Sequence, residues 1–261
     1  MEMVSASKLR RAQTAVESAR PYATDLRAVL SNLAQASGEA IHPAFAKREV
    51  RNRAIILITS DRGLCGAFNS NLIRTAEQRV RESGRPTQWV LLGKKSFDYF
   101  RRRSAPMLGS KSDLGGKADW KFAEEMSRLI LARVEAGEID EVDLVYTRFK
   151  SALSRSITVE PYLPLGREAA GEGAVMRDYL YEPGPDEILA RLVPYFLSMR
   201  LYMAMAESAA SEHGARMVAM GSATKNANEM IQNLTLHMNR TRQATITREI
   251  VEIVAGAEAL K

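Results

Sequence analysis

The sequence predicts an α/β domain placed between two long terminal helices that fold back on each other. Three observations predict it. Apolar residues near the N-terminus recur in alternating steps of three and four, residues 186–261 contain few helix breakers, and the middle alternates short apolar runs with amphipathic segments. We therefore divide the chain into residues 1–45, 46–185 and 186–261.

The first segment is predicted to be a helix with one apolar face. Its apolar and small residues follow the spacing of a coiled-coil seam. That seam consists of Leu9, Ala12, Val16, Ala19, Ala23, Leu26, Leu30 and Leu33. Pro21 lies inside the pattern and is expected to kink the helix or to cost it one hydrogen bond, although the spacing is unchanged across it. Gly38 and Pro43 mark the end of the helix.

Residues 50 to 165 alternate predicted strands with predicted helices. The strands are expected at 54–59, 89–92, 142–146 and 156–160, and the helices at 69–82, 96–103 and 117–136. This alternation favours a mostly parallel sheet that is covered by helices. A loop is predicted at 166–173 because glycines mark both its ends.

A second long helix is predicted to begin at Asp186 and Glu187 and to continue towards the C-terminus. It would be on the order of 100 Å long, so a compact protein of this size could not bury its apolar side. It must pack against another long helix or other chains, and the N-terminal seam is the partner expected within the chain. Its own stripe contains Met217, Met220, Ala227, Ile231, Leu234 and Met238, with Thr224, Asn228, Thr241 and Thr245 interrupting or flanking it. Flexible methionines suit an adaptable contact surface, but ordinary core packing explains each one singly as well.

Composition argues against several classes of protein. The 46% hydrophobic and 26% charged content is typical of a folded chain, and no run of about eighteen uninterrupted apolar residues predicts a membrane span. The N-terminus lacks the layout of a secretory signal, and the single cysteine, Cys65, permits neither an internal disulfide nor a cysteine-rich zinc module. The net charge of +6 is spread along the chain, which favours acidic protein partners or a negatively charged surface over nucleic acid. A solvated surface without a partner is the simpler alternative.

No catalytic, cofactor-binding or metal-binding residue is predicted. The turn at residues 61–66 lacks the first glycine pair of a dinucleotide-binding loop. The Gly93-Lys94-Lys95-Ser96 segment has a lysine where a phosphate-binding loop needs Ser or Thr, and a glutamine at the upstream glycine position. The histidines, at positions 42, 213 and 237, have no ligand spacing, and Cys65 is expected to be a buried structural thiol.

Residues 246–259 resemble the signature of the gamma subunit of F-type ATP synthases. That signature reads I-T-x-E, a further Glu three positions on, and G-A-x-A after three more residues, and this chain matches all seven fixed positions. Segments at 6–13, 20–22, 60–66 and 223–227 also resemble family segments in the same order. The resemblance therefore covers essentially the whole chain.

This resemblance implies two terminal helices wound as an antiparallel coiled coil, with a Rossmann-like α/β foot that binds no nucleotide. It implies a rotor shaft inside a ring of three alpha and three beta subunits, whose foot lies with the epsilon subunit on the membrane ring of c subunits. Such a shaft couples ion-driven rotation of the c-ring to conformational change at the catalytic sites, and the reverse during ATP hydrolysis. The subunit would catalyse nothing on its own and would be peripheral on the cytoplasmic face of the bacterial inner membrane.

Particular residues match the family's contacts with the ring. Arg242 and Gln243 match a pair that contacts a loop of a beta subunit, and Thr247, Glu249 and Glu252 match the signature. Ile246, with Ile250, Ile253 and Val254, would form an apolar tip in a hydrophobic bearing. Helix surface and coiled-coil packing is the alternative for each of these residues.

Family members also carry about twenty residues ahead of the position of Met1, which pair with the upper C-terminal helix. Without that segment, residues from about Gln232 onward would lose their partner. Two other classes remain open: a coiled-coil scaffold in an unrelated assembly, and a nucleotide-dependent enzyme. Co-purification distinguishes them, because a rotor brings alpha and beta subunits, a scaffold brings other proteins, and an enzyme comes alone and binds nucleotide.

Overall fold

A computed structural model gives the fold and describes residues 1–36, 42–46, 48–166, 182 and 184–259. The helices are α1 (Glu2–Ala36), α2 (Phe68–Ser83), α3 (Lys94–Arg101), α4 (Trp120–Glu135) and α5 (Pro185–Glu258). The strands are β1 (Arg53–Ile58), β2 (Thr87–Leu92), β3 (Met107–Lys111), β4 (Glu141–Phe149) and β5 (Arg155–Leu163). Of the loop predicted at 166–173, only residue 166 lies among the described residues. Contacts divide the chain into two units, Met1–Val218 and Ala219–Lys261, and the three-part division stays a prediction.

The five strands form one mostly parallel sheet, as predicted. Its order is β3-β2-β1-β4-β5, and only the pairing of β4 with β5 is antiparallel. All six residues of β1 are buried because helices cover both faces of the sheet. Ile55 and Leu57 face the side of α2, whereas Ile56 and Ile58 belong to the larger core shared with α1, α4 and α5.

One strand escaped the sequence analysis. The edge strand β3 contains a glycine and a serine, and none of its five residues is fully buried. A short, half-exposed edge strand therefore carries little of the alternation or β-branched content that identifies a strand in a sequence. The strands β4 and β5 also run longer than predicted, to Phe149 and Leu163.

Helix α1 buries the predicted seam against the sheet and the first part of α5. Leu9, Val16, Leu26, Leu30 and Leu33 are all buried, and Ala12 and Ala19 are partly buried against the same cores. The helix continues through Pro21, which lacks an N–H group and so costs the helix one hydrogen bond.

The pairing of α1 with α5 is antiparallel. Near the start of α1, Leu9 and Val16 share a small core with Ala206 and Ala210 of α5. Further along α1, the Tyr22 ring packs edge-on against the ring of Tyr195, with centroids 6.3 Å apart. Later residues of α1 thus meet earlier residues of α5, as expected of two helices that fold back on each other.

One eighteen-residue window of α5, with a mean hydropathy of 1.2, meets the length and composition of a membrane span. Half of that window is buried inside the protein. Core helices of globular proteins meet the same criterion, so this window is weak support for a span.

Candidate interaction surface

The last part of α5 is a helix with no core of its own. From Ser222 to Ala259 every residue except Asn239 is exposed. Ten large apolar side chains in this stretch are between 49% and 72% exposed. They are Met230, Ile231, Leu234, Leu236, Met238, Ile246, Ile250, Val251, Ile253 and Val254. Exposed apolar surface on this scale is typical of a site that contacts another molecule.

The apolar residues of this helix form two rows on different faces. Ala227, Ile231, Leu234 and Met238 are spaced by four, three and four, so they lie along one face. The same spacing then continues through Thr241 and Thr245. A second row, formed by Ile246, Ile250 and Ile253, begins one residue later and so lies about 100° around the helix.

The threonines along this surface satisfy their hydroxyls within their own helix. The Thr241 hydroxyl donates to the His237 carbonyl at 3.0 Å, and the Thr245 hydroxyl donates to the Thr241 carbonyl at 3.0 Å. Because these hydroxyls are already bonded, each threonine presents mainly its methyl group to a neighbour. The threonines between the two apolar rows therefore add methyl groups and no unsatisfied hydroxyls to the surface.

The charged side chains of this stretch are unpaired. Within residues 219–259 there are four Lys or Arg and four Glu, and none of them forms an ion pair. Their charges sum to zero, so the helix does not attract a partner by net charge. Individual groups such as Arg242 remain free to pair with a partner's carboxylate.

All six residues predicted to contact the ring lie on this exposed helix. Arg242, Ile246 and Glu249 are spaced by four and three and share one face. Gln243 and Thr247 lie on the neighbouring face, where the Thr247 hydroxyl donates to the Gln243 carbonyl at 2.9 Å. Glu252 is exposed, three residues beyond Glu249. These positions are open to a partner, and the contacts themselves remain a prediction.

The earlier part of α5 is held by the loops at the carboxyl ends of the parallel strands. The Arg216 guanidinium donates from Nε to the Gly63 carbonyl at 3.1 Å and from Nη2 to the Arg62 carbonyl at 3.2 Å. Nη2 also donates to Glu212 Oε1 at 2.6 Å, one turn earlier on the same helix. Both side chains of this ion pair are only 9% exposed. We call Glu212, His213 and Arg216, with the two loops they contact, the α5 clamp.

His213 joins the clamp to a second loop. Its Nδ1 lies 3.4 Å from Arg216 Nη1, which can only donate, so Nε2–H donates to the Gly116 carbonyl at 3.3 Å. Burial, with the Arg216 charge as the next cause, lowers the pKa of His213 to about 4, so the ring is neutral near pH 7. Gly116 has a φ of +71°, and an added Cβ would lie 2.6 Å from His213 Nε2. A side chain at position 116 would therefore displace the His213 ring from its bond with the loop.

Asp61 ties the two loops together beneath the helix. Its Oδ1 accepts from the backbone N–H groups of Lys94 and Asp113, and its Oδ2 accepts from that of Gly115, each at 3.0 Å. From the sequence, Asp61 belongs to an incomplete dinucleotide-binding turn and to a segment that resembles the family, and neither gives it a role. The structure assigns it to loop–loop bonding, which no local pattern revealed because its partners lie 33 to 54 residues away.

The glycine–lysine segment that resembles a phosphate-binding loop is explained by packing. Gly93 has a φ of +95°, and an added Cβ would lie 2.3 Å from the Thr59 carbonyl oxygen. Ser96 is fully buried and its hydroxyl is bonded to Thr59 Oγ1 at 2.8 Å. The glycine and the serine are thus fixed by contact with the end of β1.

Two of the remaining candidates for chemistry have structural bonds, and the third is exposed on a helix. Cys65 is buried, as predicted, and accepts a hydrogen bond from Asn69 Nδ2 at 3.3 Å. His42 accepts from the Ala44 backbone N–H at 3.2 Å and caps a short 3₁₀ turn. His237 is exposed on the last part of α5. Among the residues that the structure describes, no group of three or more His, Cys, Asp or Glu could hold a metal ion.

A buried charge network lies on the α2 side of the sheet. Asp143, the third residue of β4, is 1% exposed and accepts from Arg79 Nε at 2.8 Å. Arg53, which is 5% exposed, contacts the same carboxylate at 3.6 Å and also pairs with Glu141. A charge this deeply buried is tolerated because two arginines compensate it.

Comparison with known proteins adds a family and a fold. A family model described as ATP synthase matches residues 1–260. The ATP synthase gamma chain of Moorella thermoacetica is 48% identical over 263 residues, which cover 100% of this chain and 92% of the relative. The ATP synthase gamma chain of Desulforamulus reducens is 46% identical over 261 residues, with the same coverage.

Solved structures show the same fold at low identity. A chain of the Tetrahymena thermophila mitochondrial ATP synthase central stalk and c-ring structure has a TM-score of 0.64 and 23% identity, with 86% of this chain and 97% of that chain covered. A chain of the Euglena gracilis mitochondrial ATP synthase, solved with OSCP, F1 and the c-ring, has a TM-score of 0.62 and 20% identity, with 98% and 95% covered.

Proposed function

The chain belongs to the ATP synthase gamma-chain family, and from this premise we propose how it works as the central rotor shaft of such a complex. Residues 219–259 enter a ring of three alpha and three beta subunits, and the unit of residues 1–218 is the foot. Rotation driven at the foot turns the shaft, and ATP hydrolysis in the ring turns it the other way.

The exposed helix is the observation that supports this proposal. Burying one Leu, Ile, Val or Met side chain contributes about 1.5–3 kcal/mol, so covering ten such side chains that start half-exposed is worth on the order of 10 kcal/mol. An isolated helix gains stability mainly by packing its apolar face, and this one has no core within its own unit. A hydrophobic bearing formed by the ring supplies that packing.

Different faces of the helix give the shaft its effect on the ring. The row from Ala227 to Met238 and the row from Ile246 to Ile253 point in different directions, so the shaft is not symmetric about its axis. Three chemically identical subunits placed around it therefore meet different contacts. Because a ligand shifts a conformational equilibrium only through differential contact free energy, each orientation favours a different conformation in each catalytic subunit.

Specific residues are assigned to this contact. Arg242 and Gln243 grip a loop of a beta subunit, and the Arg242 guanidinium suits directional bonds to a carboxylate or carbonyl group. Glu249 and Glu252 offer carboxylates on the neighbouring turns, and the isoleucines near them form the apolar tip. The support is that all these groups are exposed and that none of the charged ones is paired within residues 219–259.

The foot binds the rest of the rotor. We assign the epsilon subunit and the membrane c-ring as its partners, which makes the protein peripheral on the cytoplasmic face of the bacterial inner membrane. The chain contributes no catalytic group of its own. In support, Asp61 already engages three backbone N–H groups at the strand ends, where a doubly wound fold binds a nucleotide phosphate.

Reassembly tests the proposal. The chain is mixed with separated alpha and beta subunits, and ATPase activity and co-elution are measured. We expect the wild-type chain to co-elute with both subunits and to raise their ATPase activity. A chain that elutes alone, or that binds without changing the ATPase rate, would contradict the proposal.

Matched variants sharpen that test. Ile231→Gln combined with Leu234→Gln removes part of the first apolar row, whereas Leu153→Gln changes a leucine that is 79% exposed on the β4–β5 turn of the foot. We expect the double variant to lose assembly with alpha and beta subunits and the Leu153 variant to keep it. Equal loss or equal retention would mean that the exposed row is not the contact surface.

A further inference from the structure

The α5 clamp lies at the end of the buried part of α5, just before the residues assigned to the shaft. Arg216 is 7% exposed and is the last buried residue of α5, since residues 217–221 are half-buried and residues 222–259 are almost all exposed. Any torque that passes along α5 between foot and shaft must cross this turn of the helix.

Among the described residues, the hydrogen bonds of Arg216 are the last directional contacts between α5 and the rest of the foot. They follow that of His213 to Gly116 and those of two serines, at 208 and 211, with Thr147. Most contacts of α5 with the foot are apolar. Their close packing also restrains the helix, although the hydrophobic attraction itself is not directional. A planar guanidinium that donates to the Arg62 and Gly63 carbonyls holds one orientation, because both bonds weaken when the group turns. The Glu212 carboxylate fixes the guanidinium from the same helix face at 2.6 Å.

The acceptors of these bonds are themselves held in place. The Ser60 hydroxyl donates to the Arg62 carbonyl at 2.6 Å, and the Ser60 N–H donates to Asn69 Oδ1 at 2.9 Å. Asp61 bonds the next two strand-end loops, and His213 bonds the Gly116 carbonyl of one of them. The turn whose carbonyl groups bond Arg216 is thus connected to the ends of three parallel strands. A torque applied through Arg216 is therefore distributed over the sheet.

We propose that Arg216 is the positioning residue of the α5 clamp in the rotor. Its hydrogen bonds fix the rotation of α5 about its axis where the helix leaves the foot. The inference rests on the proposed rotor function and adds to it the point at which torque passes between sheet and shaft. Loss of the clamp leaves α5 continuous and the complex assembled, and makes the joint between foot and shaft more compliant.

The test compares three variants. Arg216→Met removes the charge and all donors. Arg216→Lys keeps the charge next to Glu212, but its single nitrogen cannot replace the two donor nitrogens of the planar guanidinium. Arg191→Met is the control, because Arg191 is an exposed arginine on the same helix far from the clamp. Circular dichroism of each isolated chain first establishes that helix content is unchanged.

Torsional stiffness is measured in the assembled complex. The alpha–beta ring is fixed to a surface, a marker is attached to the foot, and the angular fluctuation of the marker is recorded with rotation stalled. We expect the variance of the angle to rise about two-fold in both Arg216 variants and to stay at the wild-type value in Arg191→Met. A purely electrostatic role would be rescued by lysine and a purely packing role by methionine, so wild-type variance in either Arg216→Lys or Arg216→Met overturns the proposal.

A second measurement keeps this inference separate from the proposed function. If even the wild-type chain fails to assemble, the rotor function fails, and the clamp is then judged on the isolated chain by amide hydrogen exchange. We expect the amides of residues 62–66 and 217–220 to exchange about ten-fold faster in Arg216→Met and Arg216→Lys than in Arg191→Met. Equal exchange in these variants overturns the clamp.

Discussion

The two parts of α5 differ in whether their residues are buried and in what their polar groups bond to. Between Leu189 and Arg216 the helix has twenty buried residues, and its polar groups bond to the foot. Between Ser222 and Ala259 it has no buried residue, and its threonines bond to their own backbone. Helical periodicity is present in both parts, so periodicity alone does not indicate where an apolar face finds its partner. The bonding of the polar groups is more informative, because those of the first part bond to the rest of the foot and the threonines of the second part bond only to their own helix.

The largest expected difference in unfolding free energy is between two carboxylate substitutions, one buried in residues 1–218 and one exposed in residues 219–259. Asp143→Asn removes the charge that compensates Arg79 and Arg53, and should lower the free energy of unfolding by about 3–5 kcal/mol. Glu249→Gln, in the exposed helix, should change it by less than about 0.5 kcal/mol. Urea unfolding of both isolated variants makes the comparison, and similar values would show that the buried network adds nothing to the fold.

The same truncation should have unequal effects on the two parts of α5. Leu197→Ala removes a fully buried side chain and should cost about 2–4 kcal/mol of unfolding free energy. Leu234→Ala removes a side chain that is 61% exposed, so a change within about 0.5 kcal/mol is expected in the isolated chain. A large cost at Leu234 would mean that residues 219–259 pack within the free protein.

Low pH should lower the free energy of unfolding through His213, which lies in the buried part of α5. The folded state lowers the pKa of this histidine from 6.5 to about 4, so between these values the unfolded chain binds a proton that the folded chain does not. Stability therefore falls as the pH falls through this window, and the loss between pH 7 and pH 5 is about 2 kcal/mol from this group. Glu212, whose pKa is raised by burial, acts in the opposite direction. The other charges that act on the His213 ring are Arg216 and Lys8, and Asp61 acts on Glu212.

A His213→Gln variant isolates that contribution, since glutamine does not titrate. Urea unfolding of wild type and variant at pH 7 and pH 5 should show a loss that is about 2 kcal/mol smaller in the variant. An identical pH dependence in the two proteins would mean that His213 is protonated at pH 5 in the folded state.

The smallest effect on stability is expected at Arg242. Because its side chain is exposed, Arg242→Ala should leave the unfolding free energy and the helix content of the isolated chain unchanged within about 0.5 kcal/mol. In the reassembled complex the same change should lower ATP-driven proton pumping and ATP turnover. Unchanged turnover and pumping would refute a gripping role for Arg242.

The sequence predicted the features that repeat along the chain. Five of the eight residues of the predicted α1 seam are buried, and β1, β2 and β4 were identified because helices cover both faces of their apolar runs. The edge strand β3 was missed for lack of such a run.

Contacts between distant residues were beyond sequence reasoning. Arg216 bonds a turn more than 150 residues earlier, and no local spacing relates the two. The point at which α5 becomes exposed, Ser222, also has no signal in the local sequence. The register of two antiparallel helices depends on which side chains fit each other, and that information is not in either helix alone.

Rotation observed in single complexes tests the central claim most directly. The alpha–beta ring is fixed to a surface, a marker is attached to the sheet of this chain, and ATP is added. A shaft held by the foot and turned by the ring predicts sustained rotation of the marker in one direction. ATP hydrolysis by a ring that carries this chain, with the marker stationary, would contradict it.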